Sequence, residues 1–158
     1  MKKIFITGGA GYVGSQLVPK LLDLDYHVTV LDLMLYGEDV LHDHENLKKI
    51  KGDIRDIALL EKIIPGHNIV IHLASKTFVP DSWLDPVEFF QTNLNGAINA
   101  LEYCRLHHAR LIYISSYLYG NPKVLPITER AEVKANNPYM QSKKMAADIC
   151  HFYSEYYG

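Results

Sequence analysis

Tyr139 and Lys143 are the pair of residues in this sequence best suited to proton-transfer chemistry. They stand four positions apart in "YMQSK", and residues at that spacing share one face of a helix. A tyrosine hydroxyl is a poor base at neutral pH, but a nearby ammonium favours its phenolate form. A phenolate can remove a proton from a substrate hydroxyl while a hydride leaves the same carbon. Because this spacing is common on helices, the pair predicts catalysis only in the company of other features.

A glycine-rich stretch near the start of the chain is the first of those features. "TGGAGYVG" begins at Thr7 and lies between a predicted strand and a predicted helix, which is the position of a dinucleotide fingerprint. Gly9, Gly11 and Gly14 fit G-x-G-x-x-G, and Gly8 with the last two fits the related T-G-x-x-G-x-x-G. Glycines there permit a tight turn, the approach of a pyrophosphate and close packing of helix on strand, while the helix N-terminus attracts phosphate.

An acidic residue follows the glycines at the distance expected for a dinucleotide site. Asp32 closes the second predicted strand, 18 positions after Gly14 (32 − 14), and an acid ≈20 residues on binds the ribose. A carboxylate there accepts hydrogen bonds from the ribose hydroxyls and repels a 2′-phosphate, and no arginine or lysine occurs in the following "LMLYG". The pattern therefore predicts NAD rather than NADP. The alternative interpretation is that Asp32 caps the end of its strand.

Strands that alternate with helices must position these residues. Apolar runs predict strands at Lys3–Thr7, His27–Leu33, Lys48–Asp53, Asn68–Ala74 and Arg110–Ser116. Helical patterns follow at Val13–Leu22, Ile57–Ile64, Asp85–His107 and Asn137–Tyr157. This alternation is typical of βαβ units, so the sequence predicts an α/β domain with a parallel, doubly wound sheet.

Composition narrows the possible functions. With 158 residues, 48% hydrophobic and 22% charged, the chain suits one globular domain. A formal net charge of -2 gives no basic surface for nucleic acid, and no apolar run is long enough to span a membrane. Cys104 and Cys150 are far apart, and the "HDHE" at His42–Glu45 has no partner cluster. We therefore expect no metal, and a reducing, cytoplasmic environment.

Several motifs together resemble those of one enzyme family. "TGGAGYVG", "GDIRD", "HLAS", "NLNG", "ISSYLYG" and "YMQSK" follow the order found in extended short-chain dehydrogenase/reductases, and they cover almost the whole chain. The chain resembles in particular the NAD-dependent epimerase/dehydratase group, which acts on nucleotide sugars. This resemblance implies a Rossmann domain, NAD as cofactor and a nucleotide sugar as substrate.

The resemblance also implies a role for each residue that matches a family motif. Tyr139 would be the catalytic base, and Lys143 would support it and hold the nicotinamide ribose. Asp32 would bind the adenosine ribose, Asp53 and Ile54 would lie by the adenine, and the glycines would carry the pyrophosphate. The cofactor-binding residues predicted in this way are Gly8, Gly11, Tyr12, Val13, Gly14, Asp32, Asp53, Ile54, Leu73, Ala74, Tyr139 and Lys143.

Two departures from the family pattern affect the predicted catalytic residues. "ISSYLYG" has one residue fewer than usual between its serine pair and its "YG". Counting from the strand makes Ser116 the catalytic hydroxyl, whereas counting back from Gly120 makes it Ser115, and we prefer Ser116 because strand register fixes direction more firmly. The Asp-Glu pair of 4,6-dehydratases is missing after this hydroxyl, which favours an epimerase or a simple dehydrogenase.

These observations predict the cofactor-binding and catalytic part of such an enzyme, with a Rossmann sheet of order 3-2-1-4-5 over residues 1–158. The alternative is a non-catalytic NAD(H)-binding sensor or scaffold, although such relatives commonly lack the Tyr–Lys pair. The sequence stops at Gly158, before a sixth strand and a substrate domain, so we expect this chain to bind cofactor without turning over sugar. Residues 110–114 would form an apolar sheet edge, so we expect a homodimer or association through that edge.

Overall fold

One parallel sheet of five strands organises the chain. The structure is a computed structural model, and it describes residues 2–63, 66–117, 120, 122 and 124–158. The strands are β1 (Lys3–Thr7), β2 (His27–Asp32), β3 (Leu47–Lys51), β4 (Ile69–His72) and β5 (Arg110–Tyr113). Their order in the sheet is β3-β2-β1-β4-β5, which confirms the predicted order and fold class.

Helices connect the strands. They are α1 (Gly14–Asp23), α2 (Ile57–Glu61), α3 (Val79–Leu84), α4 (Pro86–Phe90), α5 (Gly96–His107) and α6 (Pro138–Tyr156). A 3-10 turn at Glu38–Val40 precedes β3, and a π-helical turn at Gln91–Asn95 joins α4 to α5. Within the described ranges, no helix combines the length and the apolar character needed to cross a membrane.

The central strand β1 is buried on both faces because its alternating side chains are apolar. Ile4 and Ile6 pack into a cluster that includes Val18 of α1. Phe5 points the other way and packs with Tyr103 of α5. Phe5 and Ile6 have no solvent-accessible surface. The two clusters therefore fix the carboxyl end of β1, and with it the glycine-rich loop that follows.

β5 is the outer strand of the described sheet. Among the described residues it pairs with β4 alone, with His72 opposite Tyr113. Ile112 and, just past the strand, Ile114 are 41% and 44% exposed. The edge is therefore partly apolar and open in this chain, as expected. Association through it stays a prediction.

The predicted strands are too long at their carboxyl ends. β2 ends at Asp32 instead of Leu33, β3 at Lys51 instead of Asp53, β4 at His72 instead of Ala74 and β5 at Tyr113 instead of Ser116. The amino ends of β3 and β4 each differ by one residue from the prediction. The predicted runs extend beyond the strands because most of their final residues line a cleft at the carboxyl ends of the strands.

The starts of the two long helical segments are confirmed by their caps. Asp85 accepts a hydrogen bond from the backbone N–H of Glu88 at 3.1 Å, and Asn137 accepts one from Met140 at 2.8 Å. A proline follows each cap, as is common at the first helical position. These caps define where the helices bordering the cleft begin.

Two short helices differ from the prediction. α2 ends at Glu61 rather than at Ile64, and Ile64 lies outside the described residues. α3 is not predicted by the sequence pattern because six residues are too few to show helical periodicity.

Candidate functional site

A cleft with a volume of about 570 Å³ opens at the carboxyl ends of the strands. It lies where β1 has β2 on one side and β4 on the other, and open α/β sheets bind ligands at such switch points. Gly14 begins α1 behind the cleft, and Ser116 contacts Tyr139. The other predicted site residues all line it: Gly8, Gly11, Tyr12, Val13, Asp32, Asp53, Ile54, Leu73, Ala74, Tyr139 and Lys143.

The glycine-rich loop makes a tight turn that brings its backbone to the cleft. Gly8 has a φ of +75°, and a Cβ there would lie 2.5 Å from the backbone nitrogen of Ala74. A Cβ on Gly14 would overlap the backbone of Gly9, whereas one on Gly11 would meet only the Gly8 carbonyl at 3.3 Å. The missing side chains of Gly8 and Gly14 therefore permit the turn and the packing of α1 against the loop. The missing side chain of Gly11 leaves its backbone accessible from the cleft. The positive end of the α1 helix dipole suits an anion there.

Asp32 ends β2 and binds the backbone of two segments, the glycine-rich loop and the residues that follow β2. Its carboxylate accepts hydrogen bonds from the N–H of Ala10 at 3.0 Å and of Met34 at 2.8 Å. These contacts give Asp32 the strand-end capping role that the sequence left as an alternative. Each carboxylate oxygen keeps a second acceptor site, so capping leaves Asp32 able to accept hydrogen bonds from a ribose.

An ion-pair network at one end of the cleft was missed by the sequence analysis. The Arg55 guanidinium donates to both carboxylate oxygens of Asp53, and its Nη1 lies 3.2 Å from Glu88 Oε2. Lys76 Nζ lies 3.5 Å from the other oxygen of Glu88. Arg55 holds the pKa of Asp53 below its usual range, so this residue stays a carboxylate. The arginine of "GDIRD" was the available signal, but its partner on α4 is distant in sequence.

The hydroxyls of Tyr139 and Ser116 are in direct contact. Ser116 Oγ and Tyr139 Oη are 2.6 Å apart. Tyr139 lies in the first turn of α6, which the Asn137 cap fixes, and Ser116 lies three residues beyond β5. Ser115 lines the cleft. Leu118 and Tyr119 of "ISSYLYG" lie outside the described residues.

Lys143 is one turn beyond Tyr139 on the same helix and is 4% exposed. Its Nζ donates to the carbonyl of Ile114 at 2.8 Å and lies 4.5 Å from the centre of the Tyr113 ring. Burial lowers the pKa of Lys143 to about 8. The amine therefore remains mostly protonated at neutral pH, although it has lost nearly all its contact with solvent.

Asn93 is a second residue that the sequence analysis missed, although "NLNG" was recognised as a family motif. It is buried in the π turn, and its amide nitrogen donates to Ser142 Oγ at 2.9 Å and to the carbonyl of Lys76 at 3.0 Å. Its amide oxygen accepts from the N–H of Lys76 at 2.8 Å. Ser142 in turn donates to the carbonyl of Tyr139 at 2.7 Å. Asn93 thus links the loop after β4 to the helix that carries Tyr139 and Lys143.

The histidines His72 and His67 lie in the protein core or beside another cavity. His72 is buried at the end of β4, and its Nδ1 lies 2.7 Å from Thr7 Oγ1. A second cavity of about 230 Å³ lies at the amino ends of β1, β2 and β3, beside His67, and none of the predicted site residues lines it. In the described part of the chain, no three His, Cys, Asp or Glu side chains are placed to hold a metal ion.

Known proteins that resemble this chain include UDP-glucose 4-epimerases. The chain is 35% identical to UDP-glucose 4-epimerase of Lacticaseibacillus casei, covering 98% of this chain and 48% of that protein. It is 33% identical to UDP-glucose 4-epimerase 2 of Oryza sativa subsp. japonica, covering 95% of this chain and 40% of that protein. The chain therefore spans about half the length, or less, of these relatives.

Solved structures give the same result. The crystal structure of UDP-glucose 4-epimerase from Brucella ovis, in complex with NAD, matches with a TM-score of 0.91 and 31% identity, over 100% of this chain and 49% of that one. UDP-N-acetylglucosamine 4-epimerase from Methanobrevibacter ruminantium M1, in complex with UDP-N-acetylmuramic acid, matches with a TM-score of 0.92 and 33% identity, over 99% and 52%. The model of the NAD dependent epimerase/dehydratase family matches residues 4–158. With this match over nearly its whole length, the chain belongs to the NAD-dependent epimerase/dehydratase family.

Proposed function

We propose that this chain is the cofactor-binding and catalytic part of an NAD-dependent nucleotide-sugar 4-epimerase. The observation that carries the proposal is the 2.6 Å contact between the Ser116 and Tyr139 hydroxyls, beside a cleft built from a glycine-rich turn and Asp32. The names of the relatives favour a UDP-hexose as substrate and an epimerase over a dehydrogenase.

The cleft residues fit NAD. The turn at Gly8 and Gly11 and the start of α1 would hold the pyrophosphate, Asp32 would accept hydrogen bonds from the adenosine ribose, and Asp53 would face the adenine. Lys143, at the other end of the cleft, would donate to the nicotinamide ribose. When bound, NAD accepts a hydride from the sugar carbon and returns it to the opposite face of the resulting ketone.

Tyr139 is the proposed general base. Its phenolate oxygen would take the proton from the sugar 4-hydroxyl as the carbon is oxidised, and the resulting hydroxyl would return the proton when the ketone is reduced. The buried ammonium of Lys143 favours the phenolate that this step needs. Ser116, rather than Ser115, is the proposed partner hydroxyl because it is the serine that contacts Tyr139. A binding-only function would need none of these contacts.

The groups that select the sugar are proposed to lie in the half of the relatives that this chain does not match. Holding a substrate in the reactive position can supply ≈7–11 kcal/mol of a barrier. The isolated chain should therefore bind NAD without converting a UDP-hexose at an appreciable rate.

Calorimetric titration of the chain with NAD and with NADP tests the cofactor assignment. NAD should bind more tightly, and Asp32→Ala should bring the two affinities together. Equal or tighter binding of NADP by the unaltered chain would contradict the assignment. In an enzyme that contains this chain, conversion of UDP-glucose to UDP-galactose, followed by sugar analysis, separates catalysis from a binding-only function.

A further inference from the structure

Lys143 is an ammonium in surroundings that offer it little compensation for burial. It is 4% exposed, and no described carboxylate forms an ion pair with it. One N–H is satisfied by the carbonyl of Ile114 at 2.8 Å. Burying an ammonium without an opposite charge is costly, so another group must favour the charged form.

The face of the Tyr113 ring is such a group. Lys143 Nζ lies 4.5 Å from the ring centre, well within the range at which an aromatic face attracts a cation. The attraction is stronger where water is excluded, and both side chains are largely removed from solvent. We propose that Tyr113 is a positioning residue for the candidate site, and that its ring holds the Lys143 side chain in place as an ammonium.

Tyr113 is itself held in a fixed orientation by both neighbouring elements. Its ring stacks on His72 of β4, with centroids 6.0 Å apart and planes at 19°, and the two residues are paired in the sheet. On the other side, its hydroxyl donates to the backbone carbonyl of Lys143 at 3.3 Å. The ring therefore cannot turn its face away from the ammonium without breaking contacts to β4 and α6.

The titratable groups around Lys143 come from three elements, and most titrate outside the neutral range. Burial lowers the pKa of His72 on β4 to about 3 and raises the pKa of Cys150 on α6 to about 11. Burial also raises the pKa of Tyr113 on β5. Tyr139 lies one turn before Lys143 on α6, and a Tyr139→Phe background removes its hydroxyl from the test.

The ring has a measurable consequence for Lys143. Burial places the pKa of Lys143 at about 8, and loss of the ring should lower it by roughly one further unit. At pH 7 the protonated fraction would then fall from about nine-tenths to about one half. The catalytic consequence rests on the proposed function, since a neutral amine does not favour a phenolate at Tyr139.

The test measures the Lys143 amine directly, without cofactor or substrate. The carbon resonance next to Nζ is followed by NMR from pH 6 to pH 10 in the Tyr139→Phe background, and its assignment comes from the spectrum of Lys143→Met. Tyr113→Phe should keep the pKa of Lys143 within about 0.3 of its starting value, and Tyr113→Leu should lower it by roughly one unit. Tyr153→Leu, a substitution elsewhere on α6, should leave it unchanged.

Ring-fluorinated phenylalanines at position 113 keep the test decisive if Tyr113→Leu does not fold. Fluorine withdraws charge from the ring face with little change in shape, so the pKa of Lys143 should fall stepwise from the unfluorinated to the pentafluorinated ring. A pKa that does not respond to fluorination, or that rises in a folded Tyr113→Leu variant because water enters, would overturn the proposal. Failure of the unaltered chain to bind NAD would count against the proposed function alone, because this titration uses no NAD.

Discussion

Replacing Asn93 by alanine should destabilise this chain more than its position outside the predicted site suggests. Asn93 is 1% exposed, and its amide makes four hydrogen bonds, to the N–H and the carbonyl of Lys76, to Ser75 Oγ and to Ser142 Oγ. The first three hold the loop after β4, and the fourth holds α6. Asn93→Ala removes all four and leaves groups of Ser75, Lys76 and Ser142 without these partners.

The expected loss follows from the number of groups left unpaired. A buried donor or acceptor without a partner costs about 1–3 kcal/mol. Ser142 keeps its bond to the Tyr139 carbonyl, and the Lys76 carbonyl keeps the one from Ser75 Oγ. The main cost therefore comes from the N–H of Lys76, and because Lys76 is itself exposed, the total should be about 1–2 kcal/mol. For a domain of this length, that corresponds to a fall in Tm of roughly 2–8 °C.

Urea unfolding followed by circular dichroism gives the free energy of unfolding of each variant. Asn95→Ala is the matched control, because Asn95 lies in the same π turn but is exposed, and it should change stability by less than about 0.5 kcal/mol. If Asn93→Ala and Asn95→Ala proved equally stable, Asn93 would not hold α6 to the loop after β4. An m-value differing from that of the unaltered chain would show that the mutation changed the unfolding transition itself.

Three further predictions concern single side chains. In an enzyme that contains this chain, Tyr139→Phe should lower kcat by about 10²–10⁴-fold with little change in NAD affinity, and a loss below about threefold would place the base elsewhere. Burial lowers the pKa of His67 from 6.5 to about 4. The unfolded state therefore takes up a proton before the folded state does as the pH falls from 6.5 towards 4, and the unaltered chain should lose about 3 kcal/mol of stability over this range. Urea unfolding at several pH values should show this loss in the unaltered chain and not in His67→Gln. Burial lowers the pKa of Lys143 from 10.5 to about 8, so the unfolded state binds more protons between these values. From pH 7 to pH 10.5 the unaltered chain should therefore gain about 3 kcal/mol of stability relative to Lys143→Met. If the stabilities of the two proteins changed in parallel with pH, Lys143 would not have the lowered pKa.

The features that the sequence predicted correctly are those that local spacing determines. A spacing of four on a helix places Tyr139 and Lys143 one turn apart whatever else the chain does. The glycine-rich turn follows from conformations that other residues rarely adopt, as the positive φ of Gly8 shows. Asp32 was found because the length of a βαβ unit fixes its distance from the turn. These residues therefore needed no knowledge of tertiary contacts.

The features that the sequence did not predict depend on contacts between distant segments. Arg55 meets Glu88 only because the loop after β3 and α4 border the same end of the cleft. Asn93 meets Ser142 only because the π turn packs against α6. The carboxyl ends of the strands were misjudged for a related reason. An apolar run does not reveal where a neighbouring strand stops offering hydrogen bonds, and the residues past that point are the ones that line the cleft.

The π turn explains how one helical segment can face the sheet and also support the candidate site. Four buried residues recur every four positions, with 12 positions between the first and the last (101 − 89). They are Phe89, Asn93, Ala97 and Leu101. Three turns of α-helix take only about 11 residues, so a continuous α-helix would rotate this stripe away from the core. The π turn at Gln91–Asn95 takes up the extra residue. As a result Asn93 meets Lys76 and Ser142 while α5 packs against the sheet. Single π turns often occur at functional sites, and here the turn gives the helix carrying Tyr139 and Lys143 a buried anchor.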